Sequence, residues 1–201
     1  GLLGEDECAT LQREWAAQNP RAMHRDPIRV EDVLASRVIA WPFHLLECCL
    51  VTDGGGALVL VSAERARDFP EKPVWVLGTG ESVETPMVSQ MEDFTTSRAF
   101  RVSGRMAFAE AGIGPRDVDH LMSYDAFAHL PLYMLEDAGF VGRGESGAFY
   151  AEGHSRPGGR LPINTSGGHL SEAHIHGLNL AAEGVRQIRG ESTSPVPGAQ
   201  T

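Results

Sequence analysis

The chain is poor in basic residues, in cysteine and in long apolar runs. It has 17 Lys and Arg against 27 Asp and Glu, so its 201 residues carry a formal net charge of −10. Nonspecific nucleic-acid binding needs a basic surface, so no nucleic-acid partner is expected, although a local basic patch could still hold an anionic ligand. No stretch approaches the roughly 18–20 apolar residues of a membrane span. The opening residues, GLLGEDECATL, are acidic where a secretory signal is basic, so no signal peptide is expected.

Cysteine occurs only three times, as Cys8, Cys48 and Cys49. An odd count with two adjacent residues argues against a disulfide framework and favours a reducing, cytoplasmic location. The pair lies in the apolar run LLECCLV. It is therefore predicted to pack as small buried apolar residues, with a reactive thiol as the alternative.

Helical and strand patterns alternate along the chain, which predicts an α/β protein with both faces of the sheet covered. Helices are predicted over residues 5–18, 63–69, 94–112, 126–140 and 173–189, and strands over 57–62, 73–82, 118–124 and 160–165. The Gly-rich stretch 142–160 is predicted to be a long surface loop. The Pro- and Ser-rich residues 192–201 are predicted to be a tail or an interrupted connection.

Three histidines, His169, His174 and His176, lie within NTSGGHLSEAHIHGLNL. A zinc site is not expected, because His174 and His176 would point about 200° apart on a helix and no further ligand completes the set. The Gly pair is followed by the start of a predicted helix, whose positive end would lower the pKa of an imidazole and favour its neutral form. A neutral imidazole can act as a base or a hydrogen-bond donor. An ordinary exposed or hydrogen-bonded histidine is the alternative.

The segment SYDAFAHLP places Tyr124 at the carboxyl end of a predicted strand, where ligands gather in open α/β sheets. Its phenol could donate to a carbonyl oxygen or carry a proton, or the ring could simply pack there. The glycine-rich stretches DGGG and GTGES lack the Lys-Ser/Thr of a phosphate loop and the spacing of a dinucleotide loop. DGGG is predicted to be a turn before a buried strand, and GTGES is equally weak as a nucleotide motif.

Five stretches together resemble the thiolase superfamily, in particular the sterol-carrier-protein-type thiolases and the related lipid-transfer-protein aldolases. They are AAQNPRAM with EDVLASRVIAWPF; ECCLVTDGGGALVLVSAERA; SYDAFAHLPLYMLEDAGF with GRGE; LPINTSGGHLSEAHIHG; and EGVRQIRG. The resemblance implies a layered αβαβα fold of two similar halves, and a homodimer. Residues 1–90 would be part of the N-terminal half, lacking its start. Residues 91–201 would be the C-terminal half, lacking its last strands.

The resemblance also assigns residues. The histidine of the thiolase Gly-His-Pro motif falls on His174, counting from Asn164 through the Gly pair. The oxyanion-holding first residue of the Asn-Glu-Ala-Phe or His-Asp-Cys-Phe motif falls on Tyr124. This chain departs from the pattern, because Ile175 replaces the motif proline. The thiolase nucleophile would lie upstream of the matched stretches, so Cys48 and Cys49 do not correspond to it.

Tyr124 and the sequence LSEAHIHG look more like the aldolase branch, whose members cleave β-hydroxyacyl-CoA by retro-aldol chemistry without a covalent acyl-enzyme. Coenzyme A would enter as part of the substrate, with no separate cofactor and no metal. Such enzymes commonly work with a small partner that has an OB fold and a zinc ribbon. Tyr124 and His174 would divide the roles of base and hydrogen-bond donor, with His176 supporting them.

Two other functions stay open. One is an acetyl-CoA acetyltransferase that uses a cysteine from outside these residues, and the other is a non-catalytic lipid or acyl-CoA carrier. The CoA phosphates could meet Arg98, Arg101 and Arg105, which recur at about one-turn spacing on a predicted helix. A solvated helix face is the alternative for these arginines.

Overall fold

A computed structural model describes residues 4–201, and helices dominate it. The α-helices are α1 (Glu5–Ala16), α2 (Val30–Ala35), α3 (Arg98–Ala111), α4 (Leu130–Asp137), α5 (Ser146–Ala151), α6 (Gly168–Ser171) and α7 (Leu178–Arg189). Strands β1 (Val38–Ala40) and β2 (Phe43–His44) form an antiparallel hairpin. Short 3-10 turns cover Leu45–Glu47, Ala66–Asp68, Val88–Gln90 and Pro115–Asp117. No described helix is long and apolar enough to cross a membrane.

Helix α1 contributes several side chains to the hydrophobic core and packs against three other helices. Cys8, Leu11 and Trp15 recur at three- and four-residue spacing and are all buried. The helix ends at Ala16, two residues before the predicted end at residue 18. Its buried face packs with Leu132 and Leu135 of α4, with Phe149 of α5 and with Leu170 of α6. Burying each large apolar side chain of this kind contributes about 1.5–3 kcal/mol.

Helices α3 and α4 lie within their predicted ranges of 94–112 and 126–140, but both are shorter than predicted. The Ser97 hydroxyl accepts a hydrogen bond from the backbone N–H of Phe100, so Ser97 caps α3, and Gly112 ends it with a φ of 69°. Pro131 lies in the first turn of α4, where its missing N–H costs nothing.

The strands predicted at 57–62 and 73–82 are wrong for the described residues, none of which pairs with either segment in a sheet. Val59 and Leu60 are 83% and 79% exposed. A strand exists only through hydrogen bonds to a neighbour, so an apolar β-branched run alone does not form one. The segment 78–80 instead lies against α3: a Cβ on Gly80 would come within 1.9 Å of the Ser103 carbonyl oxygen. That contact explains the glycines of GTGES.

Four further predictions need correction. The predicted loop 142–160 contains the short helix α5, and the predicted helix 173–189 begins only at Leu178. The predicted helix 63–69 shrinks to the single 3-10 turn Ala66–Asp68. Residues 192–201 are not a free tail, because Gln187 of α7 donates to the carbonyl of buried Ser194 at 2.8 Å. Polar side chains on α7 therefore anchor this Pro-rich stretch.

Two short segments run side by side and end at one place. Leu121 and Ile163 form a single parallel bridge, so the strands predicted at 118–124 and 160–165 are reduced to one pair of residues. The Leu121 N–H donates to the Pro162 carbonyl at 2.9 Å, and the Asn164 N–H donates to the Leu121 carbonyl at 3.0 Å. The residues that follow each segment are consequently brought together.

Candidate active site

At the end of the two paired segments, the side chain of Asn164 binds the backbone of Ser123. Its side-chain oxygen accepts from the Ser123 N–H at 2.8 Å, and its side-chain nitrogen donates to the Ser123 carbonyl at 2.9 Å. Asn164 is completely buried and has a φ of 51°, a left-handed conformation that Asn tolerates better than most residues. This bridge fixes the backbone directly before Tyr124.

Tyr124 and His174 meet at the open side of this junction. The phenol oxygen of Tyr124 lies 2.9 Å from Nε2 of His174, and both residues are partly exposed. The backbone N–H of His174 donates to the hydroxyl of Thr52 at 3.1 Å. The loop that carries His174 is thus tied to the segment that follows the cysteine pair.

The surroundings of this pair favour the neutral form of both groups. Burial lowers the pKa of His174, and nearby His169 and His176 lower it further. Burial raises the pKa of Tyr124, with further contributions from Cys49 and Asp125. The expectation that a helix end would lower the pKa of His174 names the wrong cause, since α7 begins four residues later, at Leu178. At neutral pH the phenol keeps its proton and the imidazole can accept one.

His176 takes a different position from the other two histidines. It has a φ of 51° and is exposed, and its ring centroid lies 5.0 Å from that of His174. No hydrogen bond described for residues 4–201 involves its ring. It can influence His174 through charge.

Beneath the pair lies a buried acid that sequence reasoning did not single out. Both Asp125 and His169 have fully buried side chains, and Nδ1 of His169 lies 2.9 Å from Oδ1 of Asp125. The Asp125 carboxylate also accepts the backbone N–H of His169 at 2.9 Å. The signal was an Asp directly after Tyr124 and a His directly after the Gly pair.

Gly168 makes room for that carboxylate. A Cβ at this position would lie 2.2 Å from Oδ2 of Asp125 and 2.8 Å from Oε1 of Gln12. Real Cβ atoms do not approach oxygen so closely, so only glycine lets Asp125 reach the backbone here. Gly168 therefore makes room for the carboxylate of Asp125.

Helix α1 holds the site loop from behind. The Nδ2 atom of Asn19 donates to the Ser166 carbonyl at 3.0 Å and to Glu172 at 3.1 Å. Arg13 donates to the Ser171 hydroxyl at 2.9 Å. These buried contacts join residues far apart in sequence, so the loop of residues 164–172 is fixed on both sides.

Of the remaining candidate residues, Cys49 lies beside the site, where its backbone N–H donates to the Ala126 carbonyl at 2.9 Å. Cys48 and Cys49 are half-buried rather than buried, and burial raises the pKa of both thiols, which disfavours a reactive thiolate. Of the α3 arginines, Arg101 contacts Asp137 at 3.5 Å. A cavity of about 560 Å³ lies near Arg116 and Phe149, and Tyr124 does not line it. Within residues 4–201 no three His, Cys, Asp or Glu residues are placed to bind a metal ion.

A family model described as thiolase C-terminal domain-like matches residues 80–201. The chain belongs to that family. The chain is also similar to a steroid side-chain-cleaving aldolase of Thermomonospora curvata, with 42% identity over 208 residues. The alignment covers 100% of this chain and 53% of the relative. A 17-hydroxy-3-oxo-4-pregnene-20-carboxyl-CoA lyase of Mycobacterium tuberculosis is 42% identical over 197 residues, covering 96% of this chain and 51% of the relative.

A solved structure, named Ltp2-ChsH2(DUF35) aldolase, matches with a TM-score of 0.88 and 36% identity. The match covers 98% of this chain and 53% of that chain. The thiolase-like α/β fold is therefore confirmed, as is the resemblance to the aldolase branch. The thiolase C-terminal domain-like chain spans about half the length of the curated relatives it matches. The division at residues 90 and 91 stays a prediction.

Proposed function

We propose that this protein cleaves the C–C bond next to an acyl-CoA thioester by a retro-aldol reaction on a β-hydroxyacyl-CoA with a lipid or steroid side chain. The observation that carries the proposal is the 2.9 Å contact between Tyr124 and His174. Support for the reaction class comes from two 42% identical relatives named as an aldolase and a CoA lyase. Coenzyme A is proposed as part of the substrate and not as a separate cofactor.

The chemistry needs two groups that act on one substrate. A base removes the proton of the β-hydroxyl, the C–C bond breaks as the β-carbon becomes a carbonyl, and the electron pair enters the thioester as an enolate. A donor must stabilise the enolate oxygen, and the α-carbon then takes a proton. The products are a carbonyl compound and a shortened acyl-CoA.

The protonation states of the pair suit this division of labour. We assign the base to His174, because its lowered pKa keeps Nε2 free to accept the hydroxyl proton. We assign the donor to Tyr124, because its raised pKa keeps the phenol protonated. In the free protein the phenol of Tyr124 and the imidazole of His174 are hydrogen-bonded to each other. A bound substrate would replace that contact, with its β-hydroxyl at His174 and its thioester oxygen at Tyr124.

We also propose a partner protein and a homodimer. The matched structure is named as an assembly of an aldolase chain with a DUF35 protein. The partner proposed for this chain is of that kind, a small protein with an OB fold and a zinc ribbon. His176, exposed beside His174, is proposed as a supporting residue that acts through its charge.

A product assay of the full-length protein, with and without a DUF35-type partner, tests the proposal. The substrate is a 3-hydroxyacyl-CoA with a branched β-carbon. We expect a ketone and a shortened acyl-CoA in equal amounts. Transfer of an acyl group with an acetylated cysteine detected by mass spectrometry, or binding without turnover, would overturn it.

A further inference from the structure

Glu172 is a buried acid that follows α6 directly and lies two residues before His174. It is 7% exposed. One carboxylate oxygen accepts a hydrogen bond from Nδ2 of Asn19 at 3.1 Å. The other accepts from the Ser166 hydroxyl at 2.5 Å and from Nδ2 of Asn179 at 3.2 Å. The Glu172 side chain therefore joins the end of α1, the loop before α6 and the first turn of α7.

The amides of Asn19 and Asn179 both turn their nitrogen toward Glu172. The side-chain oxygen of Asn19 accepts from the Arg21 N–H at 3.0 Å, which leaves the nitrogen for the carboxylate. Nδ2 of Asn179 also lies 2.8 Å from the Ala173 carbonyl oxygen, which can only accept, so this atom is the donor. Each oxygen of Glu172 thus faces an N–H donor. A carboxylate accepts at both oxygens, whereas a glutamine of the same length would turn one donor toward another.

Asn179 connects Glu172 to the loop that carries His174. Its nitrogen donates both to Glu172 and to the carbonyl of Ala173, the residue directly before His174. Asn179 is itself buried. Because hydrogen bonds to a carboxylate are stronger than those between neutral groups, Glu172 fixes the amide of Asn179. That amide in turn fixes the Ala173 carbonyl.

The contact of His174 with Tyr124 needs this backbone in place. Nε2 of His174 lies 2.9 Å from the phenol oxygen, and at about 3.6 Å such a contact is no longer a hydrogen bond. The His174 N–H donates to the Thr52 hydroxyl at 3.1 Å, which holds the loop from its other side. Two contacts therefore place the imidazole, one at Thr52 and one at Ala173.

We propose that Glu172 is a positioning residue: through Asn179 it holds the backbone before His174 and keeps Nε2 at the distance from Tyr124 that the proposed reaction needs. The inference rests on the proposed function, in which His174 is the base. Glu172 does not act on the substrate, because protein donors occupy both of its oxygens and its side chain is buried. Removing it should displace the base without changing the groups that meet the substrate.

Glu183 on α7 offers a matched control. It is 1% exposed, and its Oε1 accepts from the Thr165 hydroxyl at 3.2 Å, from Gln187 at 3.1 Å and from the Ser192 hydroxyl at 2.5 Å. Like Glu172, it is a buried acid with three donors, but its partners anchor the residues that follow α7. Glu172→Ala and Glu183→Ala should both unfold at a lower denaturant concentration than the unmodified protein. Comparing the two variants therefore removes the general effect of losing a buried carboxylate.

Amide hydrogen exchange in the full-length protein tests the position of the loop and needs no substrate. In Glu172→Ala the Ala173 carbonyl is held less firmly, so the His174 N–H should separate from Thr52 more often. We expect this N–H to exchange about 10-fold or more faster in Glu172→Ala than in Glu183→Ala. Equal exchange in the two variants would overturn the inference, whether or not the protein is a lyase.

Steady-state kinetics separate positioning from substrate binding. We expect Glu172→Ala to lower kcat for cleavage of a branched 3-hydroxyacyl-CoA by about 10-fold or more, with KM within about 2-fold, because a base displaced by about 1 Å reacts more slowly. Glu183→Ala should keep the kcat of the unmodified protein. An equal kcat in the two variants would contradict the inference. If the unmodified protein cleaves no such substrate, the proposed function fails, and hydrogen exchange still decides the role of Glu172.

The glutamine variants take over if Glu172→Ala does not fold. Glu172→Gln keeps the length of the side chain, but its amide nitrogen must face Asn19 or Asn179. At Glu183 one oxygen accepts all three hydrogen bonds, so the oxygen of a glutamine can replace it. We expect the His174 N–H to exchange about 3-fold or more faster in Glu172→Gln than in Glu183→Gln. Equal rates in these two variants would also overturn the inference.

Discussion

Asn164 binds Ser123 twice, through its side-chain oxygen at 2.8 Å and its side-chain nitrogen at 2.9 Å. With these two hydrogen bonds the Asn164 side chain takes the place that a neighbouring strand's backbone would have in a β-sheet. They hold the residue before Tyr124 in register with the start of the loop that carries His174. The geometry of the site therefore depends on one buried amide.

Replacing that amide should cost both stability and activity. We expect Asn164→Ala to lower the free energy of unfolding by about 2–4 kcal/mol, because it leaves the N–H and the carbonyl of Ser123 buried without partners. Asn164→Gly loses the same bonds but accepts the φ of 51° without strain, so it should be the less damaging of the two. Denaturant unfolding measures the difference. If the variants are as stable as the unmodified protein, the hydrogen bonds between Asn164 and Ser123 contribute nothing to the free energy of unfolding.

Gly167 packs directly on α1. Its φ is 104°, and a Cβ there would lie 2.6 Å from the Cβ of Ala16. Gly190 at the end of α7 has a φ of 74° and nothing within 4 Å of such an atom. We expect each Gly→Ala variant to have a free energy of unfolding about 1–2 kcal/mol lower, because alanine is strained in a left-handed backbone conformation. Gly167→Ala should lose about 1–3 kcal/mol more from overlap with α1. Equal losses in thermal unfolding would contradict the proposed close contact.

Glu5 makes stability depend on pH. It is 3% exposed, and burial, with Glu47 and Asp6 nearby, raises its pKa from 4.5 to about 7. Because the folded state binds this proton more tightly than the unfolded state, stability falls as pH rises from about 4.5 to about 7. We expect Glu5→Gln to remove this dependence and to stabilise the protein by about 1–3 kcal/mol above that range.

The control for Glu5 is Glu31→Gln, an exposed acid in the first turn of α2. This change should leave the difference in unfolding free energy between about pH 5 and about pH 8 as it is in the unmodified protein. If Glu5→Gln behaves like the control, Glu5 is ionised without penalty and the account of its burial is wrong.

Helices with clear local signals could be predicted from the sequence. Helix α3 has a Ser cap and a Gly stop, and α4 has Pro131 in its first turn, so propensity and tertiary structure agree. Residues 57–62 show the opposite case, because strand formation depends on a neighbour that the local pattern does not specify. The six-residue helix α5 was missed because no side chain caps its start and glycines surround it.

The site shows the same limit. Tyr124 and His174 could be named through their resemblance to thiolase motifs, and the structure brings them together. Their catalytic roles stay predictions. The geometry of the histidines was not predictable, since the helix expected at 173–189 starts after Gly177, at a φ of 82°. Asp125 was overlooked because a buried acid beside a histidine has no periodic signature in the sequence.

The central claim is that Tyr124 and His174 act as a unit on one substrate, and a double-mutant cycle tests it most directly. The measurement is kcat/KM for cleavage of a branched 3-hydroxyacyl-CoA by the full-length protein carrying Tyr124→Phe, His174→Ala or both. We expect each single variant to lose about 100-fold or more, and the double variant to be no slower than the slower single variant. Single variants that cleave at the unmodified rate, or losses that multiply in the double variant, would contradict the account.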